Sequence, residues 1–192
     1  MNPGVLTVLS FVLSILFVNE AAYGQAVADP VNKTQALKNV KVSAIPGWKE
    51  VVSDQGRFRA IFPRAPEIGD QGTGDSAMRG LKVIDARVHW FVLYADLDRL
   101  IIDEFQIRER YQQSLKGLVN RGARVVKQTD VTLNGRLGLE LILQDKSRVS
   151  FMRVFVVDRR VYTLDVDQKR SDLPEKIPAD VQEFFDSFTF WQ

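Results

Sequence analysis

The sequence predicts an α+β domain, a largely antiparallel twisted sheet covered by one long helix and a carboxy-terminal helical segment. Three observations carry this. Between Arg124 and Val166, β-rich runs alternate with short turn signals. Apolar residues recur at helical spacing over one long stretch, Phe105 to Val119. The run His89-Trp90-Phe91-Val92-Leu93-Tyr94 has the unbroken bulk of a strand buried on both faces.

The elements follow in order. Val5 to Val18 is almost unbroken apolar and closes on Ala21-Ala22-Tyr23-Gly24-Gln25. A core of about 14 residues is short of the roughly 20 that cross a bilayer and matches the about 7–15 of an export signal. Ala22 and Gly24 are small enough to precede a cut at Gln25, with Ala28/Asp29 as a second site. Residues 1–24 are therefore expected to be a signal peptide, and the protein to work in the periplasm or outside the cell. No membrane-spanning segment is expected after cleavage. Residues 25–46 contain few large apolar groups and no firm periodicity and read as a tether, and 47–192 as a single domain. Asn32-Lys33-Thr34 matches a glycosylation acceptor, a pattern that also arises by chance.

Trp48 to Val52 and Arg57 to Phe62 form a hairpin around Ser53-Asp54-Gln55-Gly56, with Phe58, Ala60 and Phe62 on one side. Pro63 and Pro66 end it, because proline donates no ladder hydrogen bond. Gly69 to Ser76 reads as a loop. Met78 to Asp85 and Val88 to Tyr94 are strands. Asp103 offers an N-cap with Gln106 three residues on, and Phe105, Ile107, Tyr111, Leu115, Leu118 and Val119 supply the helix's apolar positions. Gly122 provides its left-handed exit. A meander follows, Arg124 to Leu133, Leu137 to Gln144, Arg148 to Val157 and Arg160 to Val166, turning at Asn134-Gly135, Asp145-Lys146-Ser147 and Asp158-Arg159. Both faces of the third strand are apolar, so the sheet needs a cover on each side. Pro178 opens a short helix that turns Val181, Phe184 and Phe185 inward, before Phe188, Phe190 and Trp191.

Composition narrows function by exclusion. The chain has 192 residues, one histidine and no cysteine, so neither disulfides nor a thiol nucleophile is available. Loss of Glu20 with the signal leaves 26 basic side chains against 23 acidic, a balance of +3. Acids lie close to most basic stretches, unlike the concentrated basic face of a nucleic-acid binder. A serine hydrolase needs a base beside its nucleophile, and only His89 is offered. His89 reads as an exposed strand residue or a hydrogen-bonded core histidine. Asp165 and Asp167 share one strand side with Thr163, a pattern of a solvated face. Asp96, Asp98, Asp103 and Glu104 are the metal candidates, since calcium takes several oxygens from a flexible loop, although their spacing matches no EF-hand. No cofactor is indicated. Gly69, Gly72, Gly74 and Gly80 precede a strand rather than the helix of a phosphate loop.

Arg108, Arg110, Lys116, Arg121 and Arg124 around the long helix, with Arg57, Arg59 and Arg64 on the hairpin, fit ordinary ion pairing such as Glu104 with Arg108 better than an anionic partner. Trp48 and Trp191, at the two ends of the domain, are expected to pack together rather than form an exposed aromatic site.

Trp48, Gly56-Arg57-Phe58 running into Phe62-Pro63, the turn Asn134-Gly135 with Gly138, Arg160 with Tyr162, and the closing Phe184-Phe185-Asp186-Ser187-Phe188 resemble a group of exported bacterial proteins of unassigned role. More distantly, residues 48 to 190 resemble the PsbP-like fold. Members of that fold are mostly noncatalytic accessory or binding proteins, among them extrinsic subunits of photosystem II and a Ran-binding protein of nuclear transport. The resemblance carries over no catalytic residue; a full-sized domain with one histidine, no cysteine and no catalytic motif is instead expected to be an exported, noncatalytic module that binds a protein or envelope component through its sheet edge or the glycine-rich loop. The competing expectations are a calcium protein built on the acidic group and a lipid carrier with a cavity between helix and sheet.

Overall fold

A computed structural model of the chain describes residues 38–42, 45–71, 78–97, 101, 103–120, 122–170, 172–174 and 176–191. Residues 1–24, expected to be an export signal, residues 25–37, residues 72–77 of the glycine-rich stretch and Asp98 lie outside the described residues.

The strands are β1 (Lys38–Val42), β2 (Lys49–Ser53), β3 (Phe58–Phe62), β4 (Glu67–Gln71), β5 (Met78–Ile84), β6 (Val88–Asp96), β7 (Arg124–Leu133), β8 (Arg136–Gln144), β9 (Arg148–Val157), β10 (Arg160–Lys169) and β11 (Thr189–Phe190). The helices are α1 (Glu104–Asn120) and α2 (Ala179–Ser187). A seven-stranded sheet runs β4-β5-β6-β10-β9-β8-β7 and a four-stranded sheet runs β1-β2-β3-β11. Pairing is antiparallel throughout.

The layers follow from strand alternation. Phe151, Phe155 and Val157 of β9, Tyr162, Leu164 and Val166 of β10, and Trp90 and Val92 of β6 face the small sheet and α2, where they meet Phe58, Phe62, Val181, Phe184 and Phe188. Met152, Val154 and Val156 of β9, Val161 of β10, and Phe91 and Leu93 of β6 face the other way, onto Tyr111, Leu115 and Leu118 of α1. The large sheet is thus covered on both faces, which is why its central strands carry apolar residues on both sides. Tyr111 anchors α1 by donating to the carbonyl oxygen of Val154 at 3.1 Å. The contact surface between α1 and the sheet is occupied by these side chains.

Several local expectations hold for the reasons given. Asp103 caps α1 through a 2.7 Å hydrogen bond from the Gln106 amide. Gly122 leaves the helix at φ 93°, and the β7–β8 turn places Asn134 and Gly135 at φ 51° and 74°, as a type I′ hairpin requires. Gly80 lies so close to β6 that an added Cβ would stand 2.0 Å from the Val92 carbonyl oxygen.

Other expectations are corrected. Lys38–Val42, inside the stretch read as a tether, pairs with β2. Glu67–Gln71 is an edge strand and includes the start of the expected glycine-rich loop. Phe105 and Val119 do not join the apolar stripe of α1 and are 76% and 52% exposed. The sheet-facing positions are Tyr111, Ser114, Leu115 and Leu118, at spacings of three, four and seven; Phe105, six before Tyr111, falls off that line, and Val119, four after Leu115, lies at its margin in the last turn. Trp48 packs edge-on against Trp90, with centroids 5.2 Å apart, while Trp191 stays partly exposed. Pro178 is the N-cap of α2, one position before its first helical residue.

Candidate functional site

On the α1 side of the large sheet, beyond the part α1 covers, the central strands bring together Asp165 and Asp167 of β10, Arg148 and Ser150 of β9, and His89 of β6. The register produces this meeting, since Asp167 pairs with Ser150 on one side and His89 on the other. Successive odd positions of β10 share one face, so Thr163, Asp165 and Asp167 follow Val161 toward the α1 layer.

The expectation of a solvated face for these three is overturned: Thr163 is 0%, Asp165 1% and Asp167 2% exposed. The physical reason is the position of β10. It is the middle strand of seven, flanked on both sides by strands of similar length, so polar residues there are screened by neighbours rather than water. His89, 7% exposed, is the hydrogen-bonded core histidine of the two alternatives.

Thr163 Oγ1 is buried without a hydrogen-bond partner, whereas the charged groups beside it are held by definite contacts. Arg148 Nε donates a short hydrogen bond to Asp167 Oδ2, and its Nη2 lies 3.2 Å from His89 Nδ1. A guanidinium has no lone pair to offer, so Nδ1 is the acceptor and the ring proton sits on Nε2. His89 is therefore neutral, and its 3.7 Å approach to Asp167 is not an ion pair. Burial, and then the charge of Arg148, push its pKa down, in agreement with this arrangement. Ser150 Oγ donates a short bond to Asp165 Oδ1. Asp145, in the β8–β9 turn, accepts the amides of Ser147 and Arg148 at 2.8 Å each.

Burial raises the pKa of both β10 carboxyls. For Asp165 the neighbouring Asp167 adds to the rise, and Ser150 and Arg148 oppose it. For Asp167 the guanidinium of Arg148 opposes it more directly, by charge and by hydrogen bond. Of the two, Asp165 has the less direct opposition to this rise.

A cleft of about 20 Å³ opens on this group, walled by Leu143 and Gln144 of β8 with Asp145, Arg148, Ser150, Asp165 and Asp167. That admits about one water or an ion of similar size. The site therefore presents a buried acid to solvent through a narrow mouth. Serine, histidine and carboxylate meet here without the geometry of a triad, because Ser150 donates to Asp165 and His89 Nδ1 accepts from Arg148.

The acidic group is dispersed among other tasks. Asp96 receives both Arg160 Nε and Nη2, at 2.6 and 2.8 Å, beneath a guanidinium stacked on Tyr94. Asp103 caps α1, and Glu104 pairs with Arg108, which also holds Asp130 at 2.7 Å. Among the described residues no group of three or more His, Cys, Asp or Glu side chains is placed to hold a metal ion. No described helix is long and apolar enough to cross a membrane.

The β9–β10 part of the central cluster had a sequence signal. The two-residue turn at Asp158-Arg159 fixes the β9–β10 register and so sets Ser150 opposite Asp167. Its burial had none, because that depends on how many strands flank β10.

No protein-family model and no curated protein matches the chain. Among solved structures, the chain is similar to the solution structure of cyanobacterial PsbP (CyanoP) from Synechocystis sp. PCC 6803. The likeness has a TM-score of 0.53 at 11% identity and covers 79% of this chain and 98% of that one. It extends over nearly the whole of the other protein, and the chain has a PsbP-like α+β fold.

Proposed function

We propose that the chain is an exported, noncatalytic accessory domain that binds a protein or another component of the bacterial envelope. Its amino-terminal apolar segment supports export. The observation that carries the binding reading is β4. This strand pairs on one side with β5 and ends the large sheet, so its outer amides and carbonyls face away from any strand of that sheet. Ile68 on it is 45% exposed, and its register shows no bulge. The opposite edge, β7, differs in having a register shift between Val125 and Lys127, an irregularity that discourages strand addition. An extended segment of a partner adds to an edge of the β4 kind through backbone hydrogen bonds.

The test is recovery of partners from the native envelope with residues 25–192 as bait, beside an Ile68→Lys bait. One stoichiometric partner lost by the variant supports the reading. No partner, or equal recovery by both baits, rejects it. Export is tested separately by fusing residues 1–46 to a reporter that is active only outside the cytoplasm.

A further inference from the structure

The outer side of α1 carries a ridge that the fold leaves unused. Phe105 and Val119 are both more than half exposed, outside the line that meets the sheet. A lone apolar side chain at a surface needs no explanation. These two, however, have Gln112 midway between them, so that Phe105, Gln112 and Val119 recur at a strict spacing of seven. At about 100° per residue such a repeat drifts only about 20° per step, which keeps all three on one ridge about 21 Å long. Glu109 and Lys116 lie along the same ridge and, like Gln112, are exposed.

The charges on the ridge are not consumed by the fold. Arg108, on its flank, is held by Glu104 and Asp130. Glu109 accepts from the Gln113 side-chain amide at 3.4 Å, and among the described residues neither it nor Lys116 enters an ion pair.

Read along α1, the ridge runs apolar, acid, amide, base, apolar, an order complementary to its own reverse. A two-fold axis through Gln112 lays the α1 of a second copy antiparallel on the first. Phe105 then faces Val119 of the second copy at both ends, and Gln112 faces its own counterpart. Glu109 stands three positions before the axis and Lys116 four after it, so across the axis they differ in height by one residue, about 1.5 Å. Both also lie round the helix from Phe105 in the same sense, by about 40° and 20°, so they share a flank of the seam. Each carboxylate therefore meets an ammonium group, twice per pair of copies. A parallel pairing would set Glu109 against Glu109 and Lys116 against Lys116, and charges flanking a helical seam decide between such orientations.

We propose that this ridge is a self-association surface, through which a second copy of the chain docks α1 against α1, antiparallel and two-fold symmetric. One 17-residue helix per copy makes a small interface, so the association is reversible and weakened by salt. α1 packs over β7 and β8, at the far end of the large sheet from β4, so this surface is separate from the edge proposed for an envelope partner.

The experiment is sedimentation of residues 25–192 over about 5 to 500 µM in about 20 mM salt, where exposed charges are weakly screened. The sedimentation coefficient of the wild type is expected to rise with concentration toward that of a dimer. Glu109→Lys and Lys116→Glu should each weaken association about tenfold, because like charges then meet twice. Mixed in equal amounts, the two variants should associate with each other within about threefold of the wild type, since the mixed pair regains both acid-base contacts. Phe105→Ser should weaken association as well, and Ile68→Lys should leave it unchanged. A wild type that stays monomeric throughout overturns the proposal. So do single charge variants that associate like the wild type, a mixture that associates no better than its components, and a dimer that Ile68→Lys dissolves.

Discussion

Replacing Arg148 by methionine keeps most of the stem's bulk and removes the guanidinium from Asp167, whose side chain is 2% exposed. Breaking a buried ion pair from one side costs about 3–5 kcal/mol, most of it the penalty of an abandoned charge. Arg148 itself is 14% exposed and the cleft admits about one water, so the expectation at pH 8 is the lower end, about 3 kcal/mol. The abandoned carboxylate has an escape, which is to take up a proton. Its folded pKa in the variant then rises further above the unfolded value, and the variant recovers stability as pH falls from 8 toward 5. Urea denaturation of both proteins at pH 8, 6.5 and 5 reads this as a ΔΔG that shrinks by about half or more across the series, at constant m. A loss independent of pH would refute the reasoning, because it would mean that packing of the stem, not the charge on Asp167, carries the effect. A loss below about 0.5 kcal/mol at pH 8 would do the same, since it would put Asp167 in contact with bulk water.

Three further outcomes are expected. Gly80→Ala sets a Cβ 2.0 Å from a backbone carbonyl of the central strand β6, and should cost about 3 kcal/mol in denaturant unfolding, because the carbonyl is held in its ladder. Tyr111→Phe removes the hydroxyl that bonds the Val154 and Leu137 carbonyls at 3.1 and 3.3 Å, and should cost about 1 kcal/mol by the same measurement. Millimolar calcium should leave the Tm within about 1 °C, since Asp96, Asp103 and Glu104 are committed to Arg160, the α1 cap and Arg108; a concentration-dependent rise would reinstate the acidic group as a site.

The parts of the fold that sequence reveals are those decided by neighbours in the chain. The meander from Arg124 onward is legible because two-residue turns at Asn134-Gly135 and Asp158-Arg159 allow few registers. The start of α1 is legible because the Asp103 carboxylate accepts the Gln106 amide three residues on. What stays hidden is decided at a distance. Lys38–Val42 carries only two apolar residues and becomes a strand by pairing with β2. The same holds for the candidate site. Alternating polar residues on β10 mean a wet face when a strand lies at the surface of a sheet, and a charged interior when it lies in the middle of seven covered strands. Nothing within β10 distinguishes the two, whereas Arg148 and Ser150 opposite it supply the charge and hydroxyl that make the interior tolerable.

The short strand β11 has a bearing on the order in which the molecule can be assembled. Thr189 and Phe190 complete the small sheet by pairing with Arg59 and Phe58, and the Trp191 amide donates to the Arg57 carbonyl oxygen. Phe190 also stacks on Tyr162, whose hydroxyl donates to Gly56 in the β2–β3 turn. A hairpin formed early in synthesis therefore waits for residues about 130 positions later before its edge is sealed. Contacts of such span slow folding, since the loop must close before the pairing is gained. Until then Phe58 and Tyr162 lie open at one end of the core, and a chain shortened by its last four residues would carry that opening permanently.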